Sequence, residues 1–178
     1  MPATMRELIA IFDSRLTTLD QLLGVATEQL GEEKATALLQ ARLAPDMFPL
    51  GRQVSIVCNV PLQFAQWASG QDVSTTDVDF TSLADAHASI AQSRQIVSAI
   101  AADDSKFAET KQMSLPGDIK FTLTGREYAD QWILPNFYFH LVTSYNIMRS
   151  NGIEIGKRNY MMHLMPTIMQ QMAAAQSG

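Results

Sequence analysis

A single cysteine, Cys58, excludes an internal disulfide, and a reducing compartment is the simple inference. Charge is scarce as well, at 17% of 178 residues, and unbalanced: 13 Lys and Arg against 18 Asp and Glu give a net charge of −5. A chain of this balance lacks the basic footprint of a nucleic-acid binder and the polybasic clusters of a membrane-surface protein. There is no phosphate-cradling glycine loop, no CxxC, no HExxH and no nucleophile elbow. Long apolar runs are missing too. The longest uncharged stretch, Gln53 to Gln71, contains Ser55, Asn59, Pro61, Gln63 and Gln66, which suits a helix buried in a soluble bundle and not a membrane span. Arg6 and Glu7 precede any apolar run, so the N-terminus does not read as a signal peptide and a cytoplasmic protein is expected.

What is present is helical periodicity. Met5, Leu8, Phe12, Leu16, Leu19, Leu23, Ala26 and Leu30 recur at three- and four-residue steps, which predicts a long amphipathic first helix ended by Gly31. A short helix from about Glu33 to Arg42 follows. Pro45 and Pro49 then force an extended loop, and Pro49 suits the first turn of a second helix, which Pro61 should kink and Gly70 should end. Beyond a polar loop, Thr81 is the expected N-cap of a third helix reaching about Ala102. Met113, Leu115, Ile119, Phe121 and Leu123 alternate with polar residues around Pro116-Gly117, which predicts a small hairpin with a type II turn. Thr124 and Glu127 form a capping box for a fourth helix running to about Arg149, with Gly152 as its stop. Pro135 interrupts that helix: either the helix kinks there, as the capping box favours, or a new helix begins at Pro135. A methionine-rich C-terminal helix, disturbed by Pro166, completes the chain. The whole is expected to be one domain, 1–178, with a bundle over 1–160 and the methionine-rich helix over 161–178.

Four groups of residues carry candidate chemistry. Asn136 and His140, four apart, share a helix face and read as part of a polar site, or as a buried histidine satisfied by its neighbour. Cys58 on the second helix reads as a partner for His140 or as a small core residue. Asp46 either caps the following helix or lines a pocket with Arg52 and Gln53, and Met47 and Phe48 are expected to be buried. The aromatics Trp132, Phe137, Tyr138, Phe139 and Tyr145 read as core, with a cavity wall as the functional alternative.

The runs Leu43-Ala44-Pro45-Asp46-Met47-Phe48-Pro49-Leu50 with Arg52-Gln53-Val54, and Pro135-Asn136-Phe137-Tyr138-Phe139-His140 with Arg149-Ser150-Asn151-Gly152, resemble a bacterial family of unknown function similar in fold to the DinB/YfiT-like metalloenzymes. The resemblance implies an all-α, up-down-down-up antiparallel four-helix bundle, here with a hairpin between the third and fourth helices, and commonly a homodimer. Such enzymes bind a divalent metal through one histidine on the second helix and an HxxxH pair on the last. His140 falls on the second position of that pair, Asn136 on the first, and the second helix here has no histidine. The expectation is therefore a small-ligand pocket between the second and fourth helices, with a degenerate or absent metal site. Its expected lining is Asn136, His140, Asp46, Arg52, Cys58, Trp132 and Tyr138, and Pro135 should open room beside His140. No cofactor is expected; His140 is the one metal ligand to consider. The alternatives are a metal-dependent hydrolase or thiol transferase using His140, and an interaction protein using its methionine-rich tail.

Overall fold

The computed structural model describes residues 3–75 and 78–176. Helix α1 (Met5–Leu30) opens on a capping box in which the Thr4 hydroxyl accepts from the Glu7 N–H at 3.3 Å and the Glu7 carboxylate accepts from the Thr4 N–H at 2.7 Å. Its apolar stripe, Met5, Leu8, Phe12, Leu16, Leu19, Leu23 and Ala26, is buried. Gly31, at φ 76°, takes the left-handed conformation that stops α1. Helix α2 (Glu32–Leu38) is shorter than the sequence predicts, because the chain leaves it in a turn at Leu39.

The loop to helix α3 (Leu50–Ala68) is tied down locally. Arg42 Nη1 donates to the Met47 carbonyl at 2.6 Å, and the first N–H groups of α3 reach back to the carbonyls of Ala41 and Leu39. Pro49 sits at the N-cap of α3 in extended conformation, one position before the first turn. No side chain caps α3, so Asp46 is not its cap. Phe48, expected inside, is 52% exposed, and Met47 is half-buried. The helix passes through Pro61 without breaking and buries nearly every face, which explains its uncharged sequence.

Helix α4 (Leu83–Ser98) is capped by Ser82 and not by Thr81: the Ser82 hydroxyl accepts from the Asp85 N–H at 3.4 Å. Either hydroxyl satisfies the sequence rule, and backbone geometry selects the second. Strands β1 (Thr110–Leu115) and β2 (Ile119–Thr124) pair antiparallel with Leu115 opposite Ile119. Gly117 has the positive φ, 82°, that the predicted turn requires, but Asp118 is also left-handed at 57°, so the loop has three residues.

The Thr124–Glu127 capping box forms as predicted and opens α5 (Gly125–Glu127). A π-helical turn over Tyr128–Ile133 then leads into α6 (Leu134–Ser150), with the Leu134 N–H donating to the carbonyl of Ala129, five residues back. The backbone is thus helical from α5 through α6, and the missing N–H of Pro135 is absorbed as a widened turn. After Gly152, at φ 88°, Ile153 and Ile155 are buried. Helix α7 (Lys157–Tyr160) and a 3₁₀ turn over Met162–Leu164 lie against α1. Helix α8 (Met165–Gln176) buries none of its residues, and Pro166 sits in its first turn, where proline is tolerated, so it does not disturb the helix.

Cross-helix contacts set the topology. Asp13 pairs with Arg94 and Asp20 with His87, so α1 and α4 run antiparallel. Gly51 lies against Phe80 and the Cys58 carbonyl accepts from Ser93 Oγ, so α3 and α4 run parallel. Gln53 meets His140 while Trp67 meets Tyr128, so α3 and α6 are antiparallel. Ala3 pairs with Arg126 and Gln29 with Glu154, so α1 and α6 are parallel. The result is an up-down-down-up bundle of α1, α3, α4 and α6.

Candidate functional site

The second half of the α2–α3 loop meets α6 at one end of the bundle. Gln53 enters from the first turn of α3 and is 1% exposed, so both ends of its amide need partners. Its Nε2 donates to the Phe48 carbonyl at 3.2 Å, and its Oε1 stands 2.6 Å from His140 Nδ1. An amide oxygen has no proton to give, so Nδ1 donates, and in the neutral ring the lone pair sits on Nε2. The His140 carbonyl accepts from Ser144 Oγ at 2.8 Å, and the Phe139 ring stands edge-on to the imidazole at 5.1 Å. Asp46, Met47, Phe48, Gln53, Phe139 and His140 line a pocket of about 170 Å³ between the loop, α3 and α6. Phe139 is 58% exposed, so each side of the pocket carries a half-exposed phenyl ring.

Of the predicted site residues, Asp46 and His140 are brought together here. The others lie elsewhere. Asn136 is one turn before His140 and half-buried; no hydrogen bond joins the two, and it does not line the pocket. Arg52 lies outside the pocket with its guanidinium 5.5 Å from the Phe48 ring centre and 3.9 Å from Asp79. Trp132 belongs to the π turn and stands against Phe121 of the hairpin. Tyr138 packs on Phe137 and faces Tyr160 of the C-terminal segment. Neither Pro135 nor any residue of the π turn lines the pocket; its lining comes from the loop ending at Pro49, the first turn of α3, and Phe139 and His140 of α6.

Cys58 is buried on the side of α3 that faces α4 and α1. Burial pushes its thiol up to about 12; the Ser89 hydrogen bond opposes this and Asp20 adds to it. It therefore behaves as a core residue, away from His140. A native-state pKa above the unfolded value of 9.0 means that its stability contribution is intact below pH 9 and is lost as pH rises towards 12. We predict that iodoacetamide leaves Cys58 unmodified in native protein at pH 8 and alkylates it fully in denaturant, read by intact mass.

The residue that sequence reasoning underused is Gln53. Its signal was a glutamine inside an otherwise buried apolar run, which must find partners for its amide. Replacing it tests the link. Gln53→Leu leaves the Phe48 carbonyl and His140 Nδ1 without this partner and should destabilise the fold by about 1–3 kcal/mol in urea unfolding.

A larger cavity of about 450 Å³ lies between α3 and α4, lined by Ser55, Asn59, Phe80, Asp85 and Ser89 among others. Among the described residues, its lining holds no histidine or cysteine. The pocket at His140 carries the more distinctive chemistry.

The up-down-down-up fold is that of a DinB-like helical-bundle protein. The chain belongs to the family described as a domain of unknown function (DUF1993), whose match spans residues 6–161. It is also similar to the crystal structure, at 1.83 Å resolution, of a DinB family member protein from Shewanella denitrificans. That likeness has a TM-score of 0.74 and 33% identity, and covers 85% of this chain and 88% of the other. No curated protein matches the chain.

The divalent metal of DinB-like enzymes is tested by the donor set. Among the described residues, no three His, Cys, Asp or Glu side chains come together. His140 and Asp46 are the two such residues in the pocket, short of the three or four protein ligands a zinc-type ion takes. The described residues do not fit a metal of that kind. No helix among the described residues is long and apolar enough to cross a membrane.

Proposed function

We propose that this protein binds a small organic ligand in the pocket between α3 and α6. One observation carries the reading: a buried amide, Gln53, fixes the proton of His140 on Nδ1 and so sets Nε2 as an acceptor, beside two half-exposed phenyl rings. Burying the uncharged Gln53 to orient one imidazole is an arrangement that packing alone does not require. The pocket, about 170 Å³, is small, which suits a small ligand. A fragment screen by NMR tests this. Ligands should shift the side-chain amide of Gln53 and the ring of Phe139, and His140→Ala should abolish those shifts while the protein stays folded. Fragments that bind only in the α3–α4 cavity would contradict the assignment.

A second reading, interaction through the tail, is favoured by α8. It is a helix of 12 residues without a charged side chain, and leaves Ile168, Met169 and Met172 exposed. Isolated helices of that length are marginal in water, so docking onto a second copy of the chain would stabilise it. Removing the residues after Tyr160 should then convert a dimer to a monomer in light scattering. An oligomeric state unchanged by the truncation counts against this role.

A further inference from the structure

We propose that the pocket between α6 and α7 is a second binding site, one that takes a small aromatic anion of the aryl carboxylate class. It shares no lining residue with the His140 pocket and forms where the chain turns back after α6. Ile153 and Ile155 are buried and anchor that return, and the Tyr145 hydroxyl donates to the Ile155 carbonyl at 3.4 Å. Val142 lies three and four residues before Tyr145 and Asn146, so the three share one face of α6; Lys157 and Tyr160, three apart, share one face of α7. Together these five residues line a space of about 200 Å³.

Three of the five can donate and have no partner. Among the described residues, Lys157 makes no ion pair, and neither the Asn146 amide nor the Tyr160 hydroxyl makes a hydrogen bond, although both side chains are half-buried. Burial and the Tyr138 phenol push the Tyr160 hydroxyl above its usual pKa against the opposing Arg15 charge, so it stays a neutral donor near pH 7. Arg15 is half-buried on α1, donates to the Ser14 hydroxyl at 2.9 Å and has no acidic partner among the described residues. Its charge reaches both Tyr160 and His163, which adds positive potential beside the pocket. No aspartate or glutamate lines the space, so a cation would meet the Lys157 ammonium with nothing to offset it, whereas a carboxylate would meet a counter-charge. The walls set the body of the guest. The Tyr145 and Tyr160 rings stand 6.0 Å apart at 74°, with Val142 lining the same space, and a flat ring extends that edge-to-face pair. A neutral hydrocarbon would fill the space but leave the three donors unmet.

Three probes of one shape separate the terms: benzoate, neutral benzamide and cationic benzamidine. Each is titrated into the full-length protein while the Asn146 side-chain amide, the Val142 methyls and the Tyr145 and Tyr160 rings are followed by NMR. Benzoate should bind about fivefold more tightly than benzamide, and benzamidine more weakly than either. Added salt should narrow the gap between benzoate and benzamide, because the Lys157 charge is exposed. Lys157→Gln, at that exposed position, should bring benzoate and benzamide to about equal affinity while leaving the fold intact. Asn146→Leu should weaken both by a similar factor. Benzamide or benzamidine binding as tightly as benzoate would overturn the anion assignment, and so would a preference for benzoate that survives Lys157→Gln. Benzoate that shifts only the Gln53 amide and the Phe139 ring would place the anion in the His140 pocket and overturn the second site, as would the absence of any shift at Asn146, Tyr145 and Tyr160.

Discussion

Phe12→Ala is expected to destabilise the protein by about 3–5 kcal/mol, the largest effect of any single substitution considered for this bundle. Phe12 is fully buried in the N-terminal half of α1, and its ring lies 5.4 Å from Phe64 of α3 and 5.2 Å from Phe137 of α6. One side chain therefore joins three of the four long helices. Removing it loses the transfer free energy of a phenyl ring, opens a cavity between rigid backbones, and breaks two aromatic pairs worth about 0.5–1.5 kcal/mol each. Domains of this size are stable by about 5–15 kcal/mol, so the variant should lose a large fraction of its margin. Urea unfolding should show a lower midpoint at an unchanged slope. Phe139→Ala is the control: that ring is 58% exposed, and its loss should cost far less. A cost below about 1.5 kcal/mol for Phe12→Ala would mean that α1, α3 and α6 do not meet at this ring.

The second large effect is at Gly125, the first residue of α5. A Cβ there would stand 2.3 Å from the Lys106 carbonyl oxygen and 2.6 Å from Cζ2 of Trp67. One neighbour is backbone and the other a side chain 6% exposed in the core, so neither yields cheaply. Gly125→Ala should cost about 2–3 kcal/mol by thermal or urea unfolding. The sign is diagnostic, because intrinsic propensity alone favours alanine in a helix by up to about 1 kcal/mol. Gly24 supplies the contrast: it lies within α1 with nothing within 4 Å of the added carbon, so Gly24→Ala should stabilise by roughly 0.5–1 kcal/mol. Gly125→Ala at or above wild-type stability would show that the strand–helix junction is looser than the contact between α5, Lys106 and Trp67 requires.

Much of the fold was legible because the signals that define it are local. The Thr124–Glu127 box, the left-handed glycines at 31, 117 and 152, and the apolar stripe of α1 each act within a few residues of chain. Local rules failed where two choices satisfied them equally, as with Thr81 and Ser82, or where the outcome depended on a distant partner. Phe48 was expected inside because loops rich in apolar residues usually tuck in; it is held out against Arg52 and the pocket. The site was legible only in part for the same reason. His140 and Asp46 stand out as residue types, but the amide that orients the histidine is 87 positions away in sequence. Helix geometry also separates neighbours: Tyr138, two residues before His140, points about 200° around the axis, towards Phe137 and Tyr160.

The central claim is that Gln53 fixes the proton of His140, and the ring's tautomer reports on it directly. A long-range proton–nitrogen correlation spectrum, at a pH where the imidazole is neutral, should show His140 with Nδ1 protonated and Nε2 bare, and Gln53→Leu should shift it towards the mixed or Nε2-protonated form common in solution. A wild-type ring protonated on Nε2 would contradict the account, because Gln53 could then not accept from it and the pocket would lose the acceptor on which its chemistry depends.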